Sequence, residues 1–416
     1  MEVNLATVVL IGSLDTKGRE YAFVKNCIIE AGQSPFVIDF GVLGDPSFEP
    51  DITAEEVART GGKLLADLRF DHEGSETRAV ALDTMISGLK KLIQRLIDQN
   101  QCDGVFGLGG SGGSYVVSEV MRSLPYGIPK LLLSTMACGD VSAYVGTKDI
   151  AIMYSVTDIA GLNRISRPIL RNAAFGIAGM ASGSHVNYSD SKPLISITMN
   201  GITTPGVLRI VEGLEKKGFE TAVFHTNGSS KAMEELIYHG QIDGVIDFCS
   251  HELTNFTLGG MFHAGPNRME AAGKMGIPQV IVPGAIEVIN FSSRDTVPEK
   301  YDRPERKLII HNAYVCAVRA NLEESIQLGT LLATKANRAE GPTLVMIPTN
   351  GLDKYQKPPD GPWIDNEKND ALFDAIRSNL REDIPIIEKK AYINDHEFAD
   401  AVVNEFLKLW SSRVKE

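Results

Sequence analysis

Two segments of the chain repeat the same signals in the same order. Cys102-Asp103-Gly104-Val105-Phe106-Gly107 is followed, one helical stretch later, by Gly127-Ile128-Pro129-Lys130-Leu131-Leu132-Leu133. Ile242-Asp243-Gly244-Val245-Ile246-Asp247 is followed in turn by Gly276-Ile277-Pro278-Gln279-Val280-Ile281-Val282. Chance supplies one such match easily, but an ordered pair argues for a diverged duplication. Each half also alternates short apolar runs with amphipathic stretches. In the first half the runs at 6–12, 35–40, 104–108, 130–134 and 150–155 read as strands, with helices at 20–31, 53–65 and 76–99 among them. The second half restarts at 194–199 and continues through a helix at 207–217 and a strand at 221–225. Strands apolar throughout, separated by helices, need helical cover on both faces. The expected fold class is α/β, with two Rossmann-like doubly wound domains of parallel strands facing a cleft. Ligands then belong at the carboxyl ends of the strands. The serine- and glycine-rich stretch at 181–191 marks the boundary, giving domains at 1–185 and 186–416.

Composition excludes some partners. A formal charge of −12 opposes binding to nucleic acid or an anionic membrane, both of which call for a basic face. No apolar stretch reaches the length of a membrane span, and the first residues lack a signal-peptide pattern. The five cysteines stand singly, without Cys-x-x-Cys spacing, as reduced thiols do in a cytoplasmic protein.

The first candidate site follows the third strand. Gly109-Gly110-Ser111-Gly112-Gly113-Ser114 separates that strand from a stretch with helical spacing. Strand, glycine turn and helix start together aim backbone N–H groups and a helix dipole at one point, which suits a phosphate. The competing explanation is a tight turn needing positive φ, which glycine adopts without steric cost. Two other strand ends converge here and bring Ser13, Asp15, Thr16 and Lys17, then Ser134, Thr135 and Asp140. Hydroxyls and a lysine fit phosphate oxygens, and Asp15 or Asp140 fits Mg2+ beside a nucleotide. Asp15 as a helix cap and Lys17 as a solvated loop lysine are the alternatives. Gly107, Gly109 and Gly112 satisfy G-x-G-x-x-G, but the acid of a dinucleotide site is missing from the end of the next strand. A mononucleotide or a phosphorylated metabolite fits better than NAD.

The second domain lacks the glycines. After its Asp-Gly-Val strand stand His251 and Glu252, and other strand ends supply Glu287 and His311. A histidine beside carboxylates suits general acid–base chemistry on a small-molecule substrate. Arg268, in Gly265-Pro266-Asn267-Arg268 ahead of a helix, suits an anion clamp. The His and Glu spacings do not form a standard metal set, so no metal ligands are assigned.

Several motifs in order resemble a known family. Gly12-Ser13-Leu14-Asp15-Thr16-Lys17-Gly18, Gly107 to Gly113, Ser134-Thr135-Met136, Asp158-Ile159-Ala160-Gly161-Leu162-Asn163, Ala264-Gly265-Pro266-Asn267-Arg268 and Pro283-Gly284-Ala285 together look like the UPF0261 family, also called the Tm-1-like ATP-binding family. The resemblance runs nearly end to end. It implies two α/β domains, ATP in the first, and a homodimer. It implies no settled reaction. Two classes of function follow: an enzyme using ATP in domain one and acid–base groups in domain two, or a non-catalytic protein whose binding to a partner depends on the nucleotide.

Overall fold

The computed structural model describes residues 5–69, 75–183, 192–359 and 361–413. The chain forms two compact units, Met1–Ser189 and Asp190–Glu416. The boundary read at 185/186 lies outside the described residues.

In the first unit β1 (Thr7–Gly12), β2 (Ser34–Asp39), β3 (Gly104–Gly109), β4 (Lys130–Ser134) and β5 (Ala151–Tyr154) form one parallel sheet in the order β2-β1-β3-β4-β5. Alternate residues of β1 show why helices cover both faces. Val9 and Ile11 join Val57, Leu89 and Val117 in one core, whereas Val8 and Leu10 join Tyr21, Ile28, Ala174 and Ile177 in another. All four β1 side chains are fully buried, and each fully buried Val, Leu or Ile contributes about 1.5–3 kcal/mol.

The second unit repeats this plan. Its strands are β6 (Leu194–Met199), β7 (Glu220–His225), β8 (Gly244–Asp247), β9 (Gln279–Ile281), β10 (Val288–Phe291), β11 (Ile309–Asn312), β12 (Val315–Arg319), β13 (Thr343–Pro348) and β14 (Ile386–Lys389). Six of them form a parallel sheet, β7-β6-β8-β9-β13-β14. Its first five positions reproduce the connectivity of the first sheet, which agrees with a duplication. Ile195 and Ile197 pack on helices Thr204–Glu215 and His396–Arg413, while Ile281 and Val345 pack on Leu322–Ala336 and Asn366–Asn379. One feature departs from the parallel-only expectation. Between β9 and β13 the chain inserts a small antiparallel sheet, β10-β12-β11. Its strands are only four or five residues long, too short for periodicity to separate them from their neighbours.

Candidate functional site

In each parallel sheet the chain order reverses beside the first strand, β1 or β6, and ligands collect in the crevice at the carboxyl ends there. In the first unit Tyr21 shapes that crevice. Its fully buried hydroxyl donates to Ile11 O and accepts from Leu108 N at 2.8 Å, bridging β1 and β3 where their own pairing stops.

The segment after β1 is a helix rather than the expected loop. Helix Leu14–Glu30 begins at once, with Ser13 as its N-cap and Lys17 at a non-helical φ of −125°. Leu14 is buried and its N–H reaches Asp39 Oδ1 at 2.9 Å, which seeds the first turn. Gly18 follows the kink that Lys17 puts in this helix. A Cβ there would lie 1.5 Å from Ser47 Oγ, so glycine is required by close approach.

The structure removes the positive-φ explanation of the glycine turn. None of Gly107, Gly109, Gly110, Gly112 and Gly113 has positive φ. Gly107 and Gly109 are packing glycines, since a Cβ would come within 2.5 Å of Val117 and 2.8 Å of Gly113 Cα respectively. Gly110 is different: the nearest atom to its Cβ position is Thr135 Oγ1, at 3.8 Å. Gly113 and Gly112 are intermediate, at 3.4 Å from Leu108 O and 3.3 Å from the Arg78 guanidinium. Gly110 caps helix Ser111–Ser123 without any side-chain bond, so the first-turn N–H groups stay free of a capping side chain.

Two cavities flank this turn. One, of about 300 Å3, is lined by Ser13, Asp15, Thr16, Arg78, Gly112 and Gly113 against an apolar wall that includes Phe40 and Met85. The other, of about 410 Å3, is lined by Gly110, Ser111, Thr135, Met136, Tyr154, Val156, Thr157 and Asp158. Val156, a β-branched residue, sits there at φ 63°, a conformation that costs energy and recurs at functional sites.

The expected first-unit residues divide between these walls and the framework. Ser13 and Thr16 hydroxyls lie 3.0 Å apart on the first wall. Asp15 accepts from Leu43 N at 2.8 Å through Oδ2, while its buried Oδ1 has no partner among the described residues. Ser111 and Thr135 line the second cavity. Ser134 is buried and spent on the Ser114 hydroxyl at 2.6 Å and Met136 N at 3.0 Å, tying helix Ser111–Ser123 to the end of β4. Lys17 lines neither cavity. Its ammonium donates to Ile159 O, and Glu20 of the same helix accepts from Gly161 N, so the pair clamps the loop after β5. Asp140 lines neither cavity either. It is exposed, accepts from Ser142 N at 2.9 Å, and is held below the usual carboxylate range by that bond. Arg78 was missed, because nothing in the spacing of its long helix sets it apart; it has no ion-pair or hydrogen-bond partner among the described residues.

The second unit revises its expected acid–base set. Arg268 is fully buried and surrounded by acids. It donates to Glu252 Oε2 at 2.8 Å and, through both terminal nitrogens, to Asp247, with Glu234 at 3.5 Å. A guanidinium so engaged is no clamp for a ligand anion. Glu252 is equally committed, since it also accepts from Gly228 N at 2.8 Å. His251 is fully buried beside Cys249 Sγ at 3.5 Å. Burial, reinforced by the positive charge of Arg268, lowers its pKa to about 3, so it stays neutral rather than titrating near pH 7. Glu287 is 2% exposed, bonded to the Gln356 amide, and adjoins buried Asp353. Burial raises both carboxyls, and Asp353 is raised further by the charge of Glu287. Of the expected set, His311 lines a cavity of about 300 Å3 together with His225, Asn290 and Lys354. Its Nδ1 lies 3.1 Å from the Tyr355 hydroxyl, and burial together with the Lys354 charge lowers its pKa. Among the described residues no group of three or more His, Cys, Asp or Glu is placed to hold a metal ion, and no helix is long and apolar enough to cross a membrane.

Residues 6–186 match the N-terminal domain of the uncharacterised protein family UPF0261, and residues 192–410 match its C-terminal domain. The chain belongs to the UPF0261 family. A UPF0261 protein of Clostridium tetani is 40% identical over 404 residues, covering 97% of this chain and 98% of that one. A UPF0261 protein of Rhizobium meliloti is 37% identical, covering 95% and 97%. The tomato ToMV resistance protein Tm-1(GCR237) is 31% identical, covering 98% of this chain but 56% of that longer protein. Among solved structures, the UDP-N-acetylglucosamine 2-epimerase of Rickettsia bellii aligns over 99% of this UPF0261 chain and 97% of its own, at 10% identity. Its TM-score of 0.22 carries no argument.

Proposed function

We propose that this UPF0261 protein binds a nucleotide, ATP, in its first unit, with the phosphates seated on the Gly110–Gly113 turn. One observation carries the reading: Gly110 needs to be glycine neither for its backbone angles nor for protein packing. What remains is the approach of something outside the chain, and an uncapped helix N-terminus selects an anion. Arg78 adds a cation beside Gly112 that has no partner among the described residues. Ser13, Thr16, Ser111 and Thr135 supply hydroxyls, and the apolar walls suit a base. Mg2+ fits the unpartnered Oδ1 of Asp15, since that ion takes few carboxylates and the rest of its ligands from phosphate. ATP supplies transferable phosphoryl groups; the protein's part is to hold and orient them. The homodimer implied by the family likeness belongs to the same proposal.

A second reading has its own support. Glu252 and Arg268 are spent on each other, and Arg268 also on Asp247, while His251 and Glu287 are buried with His251 Nε2 and Glu287 Oε2 unpartnered among the described residues; of the expected acid–base set His311 alone is exposed. That favours a nucleotide-dependent binding protein over a phosphoryl-transfer enzyme. Thermal unfolding with ATP, ADP and Mg2+, paired with product analysis, separates the two. Stabilisation without turnover supports the binding protein, and turnover lost in His311→Ala supports the enzyme. No stabilisation by any nucleotide refutes both.

A further inference from the structure

The second unit holds a cavity of about 300 Å3 lined by residues from the ends of β6 and β7, from the small antiparallel sheet and from the turn after β13. Asn200, His225, Asn290, His311, Asn312 and Lys354 are its polar members. It occupies the position in the second fold that the cavity of Ser13, Asp15 and Gly41 occupies in the first, where chain order reverses.

Its donors and acceptors are unevenly used. Asn200 spends its Oδ1 on Ile202 N at 3.3 Å, Asn290 on Asn255 Nδ2 at 3.3 Å, and Asn312 on Tyr314 N at 2.8 Å. Each amide is thereby oriented, and each Nδ2 is left without a protein partner among the described residues. Asn290 matters most, because it is only 6% exposed and still lines the cavity. Its Nδ2 is not one of the sealed-off polar atoms, so it is a donor open to the cavity, where a ligand oxygen can take the place of water. Lys354 adds a cation with no carboxylate partner among the described residues; its ammonium sits 5.0 Å over the Tyr355 ring. No aspartate or glutamate lines the cavity, although the chain carries a net charge of −12. Phe262, in the same wall, holds φ at 65°, a strained conformation typical of ligand clamps.

We infer that this cavity binds a small hydroxylated carboxylate, of the hydroxy-acid or sugar-acid class. The three oriented amide donors and Lys354 meet the carboxylate and hydroxyl oxygens. His225 and His311 then serve hydroxyl groups, because a neutral imidazole offers one donor and one acceptor. A phosphate dianion fits less well, since a single cation faces it and the helix that starts nearby, His251–Leu258, has a fully buried first residue. The inference does not rest on the nucleotide site of the first unit, with which it shares no residue; His311 is common to it and the enzyme reading.

The test is calorimetric titration of the full chain with D-gluconate, D-galactonate, L-tartrate and glycerate, against inorganic phosphate and sulfate. At least one of the carboxylates should saturate a single site with the nucleotide absent. Lys354→Met should weaken it at least tenfold. Gly201→Val is the decisive companion: Gly201 lines the cavity, lacks positive φ, and a Cβ there meets no atom within 4 Å. It should therefore keep the wild-type unfolding temperature and lose binding. Saturation by none of the four carboxylates, by phosphate or sulfate alone, or binding unchanged in both variants, overturns the inference. ATP stabilisation unaffected by Gly201→Val keeps the two sites experimentally distinct.

Discussion

Replacing Gly110 by valine separates a glycine kept for a ligand from one kept for the fold. Gly110 has φ −78° and ψ −159°, an extended conformation open to any residue. The atom nearest its Cβ position is Thr135 Oγ1 at 3.8 Å, an ordinary contact. The apo protein should therefore lose nothing, and the stiffer unfolded chain adds about 0.4–1 kcal/mol by the Gly→Ala precedent. Gly109→Ala is the internal control. Its Cβ would stand 2.8 Å from the Gly113 Cα and 3.0 Å from its carbonyl carbon, backbone atoms that cannot swing away, so it should cost about 1–3 kcal/mol. Scanning calorimetry with and without ATP reads both effects. At a hundredfold excess over Kd, ATP stabilises by about 2.7 kcal/mol, roughly 5–10 °C in Tm for a unit of this size. Gly110→Val should keep the apo Tm and lose that shift. An apo Tm depressed as in Gly109→Ala, or an undiminished ATP shift, refutes the reasoning.

Three further outcomes follow from the geometry. Lys17→Met should free the loop after β5, seen as faster amide exchange at residues 155–161, while ATP affinity falls less than tenfold because the ammonium serves Ile159 O; a hundredfold loss with unchanged exchange means direct ligand contact. Arg268→Met should cost about 3–5 kcal/mol by leaving buried carboxylates unpaired, read by urea unfolding, and a change below 1 kcal/mol contradicts the ion cluster. Glu287 and Asp353 both have raised folded pKa values, so the stability they contribute is complete below about pH 4 and lost as pH rises through the folded values. Asp353→Asn keeps an Oδ1 to cap Tyr355 N and Gln356 N, and should gain stability over wild type progressively as pH rises above about 4; a pH-independent difference rejects the coupling.

The alternation of strands with helices and the duplication were legible because they rest on local signals. Val8 to Ile11 must be covered on both faces, and the two Asp-Gly-Val runs carry the same register against their neighbours. The glycine turn was legible as a turn. Why each glycine is there was not: Gly107 and Gly109 answer to Val117 and Gly113, whereas Gly110 answers to no protein atom, and only the packed neighbours distinguish them.

The surroundings of the second-unit residues were not legible for a related reason. His251-Glu252 and Arg268 look like reactive groups in a linear chain, because ionisable residues at strand ends usually face solvent. Tertiary packing instead closes Arg268 around Asp247 and Glu252 and buries His251 in neutral form. Meanwhile Asn290 and Lys354, 64 positions apart in the chain, come to one cavity through the inserted antiparallel sheet and the turn after β13. The alternation of apolar and helical stretches by itself determined the two α/β folds and the strand ends where ligands belong. Burial decided which polar groups at those ends are spent on the protein and which remain for a ligand, because the cost of leaving a charge or donor unmet depends on neighbours that only the folded chain supplies.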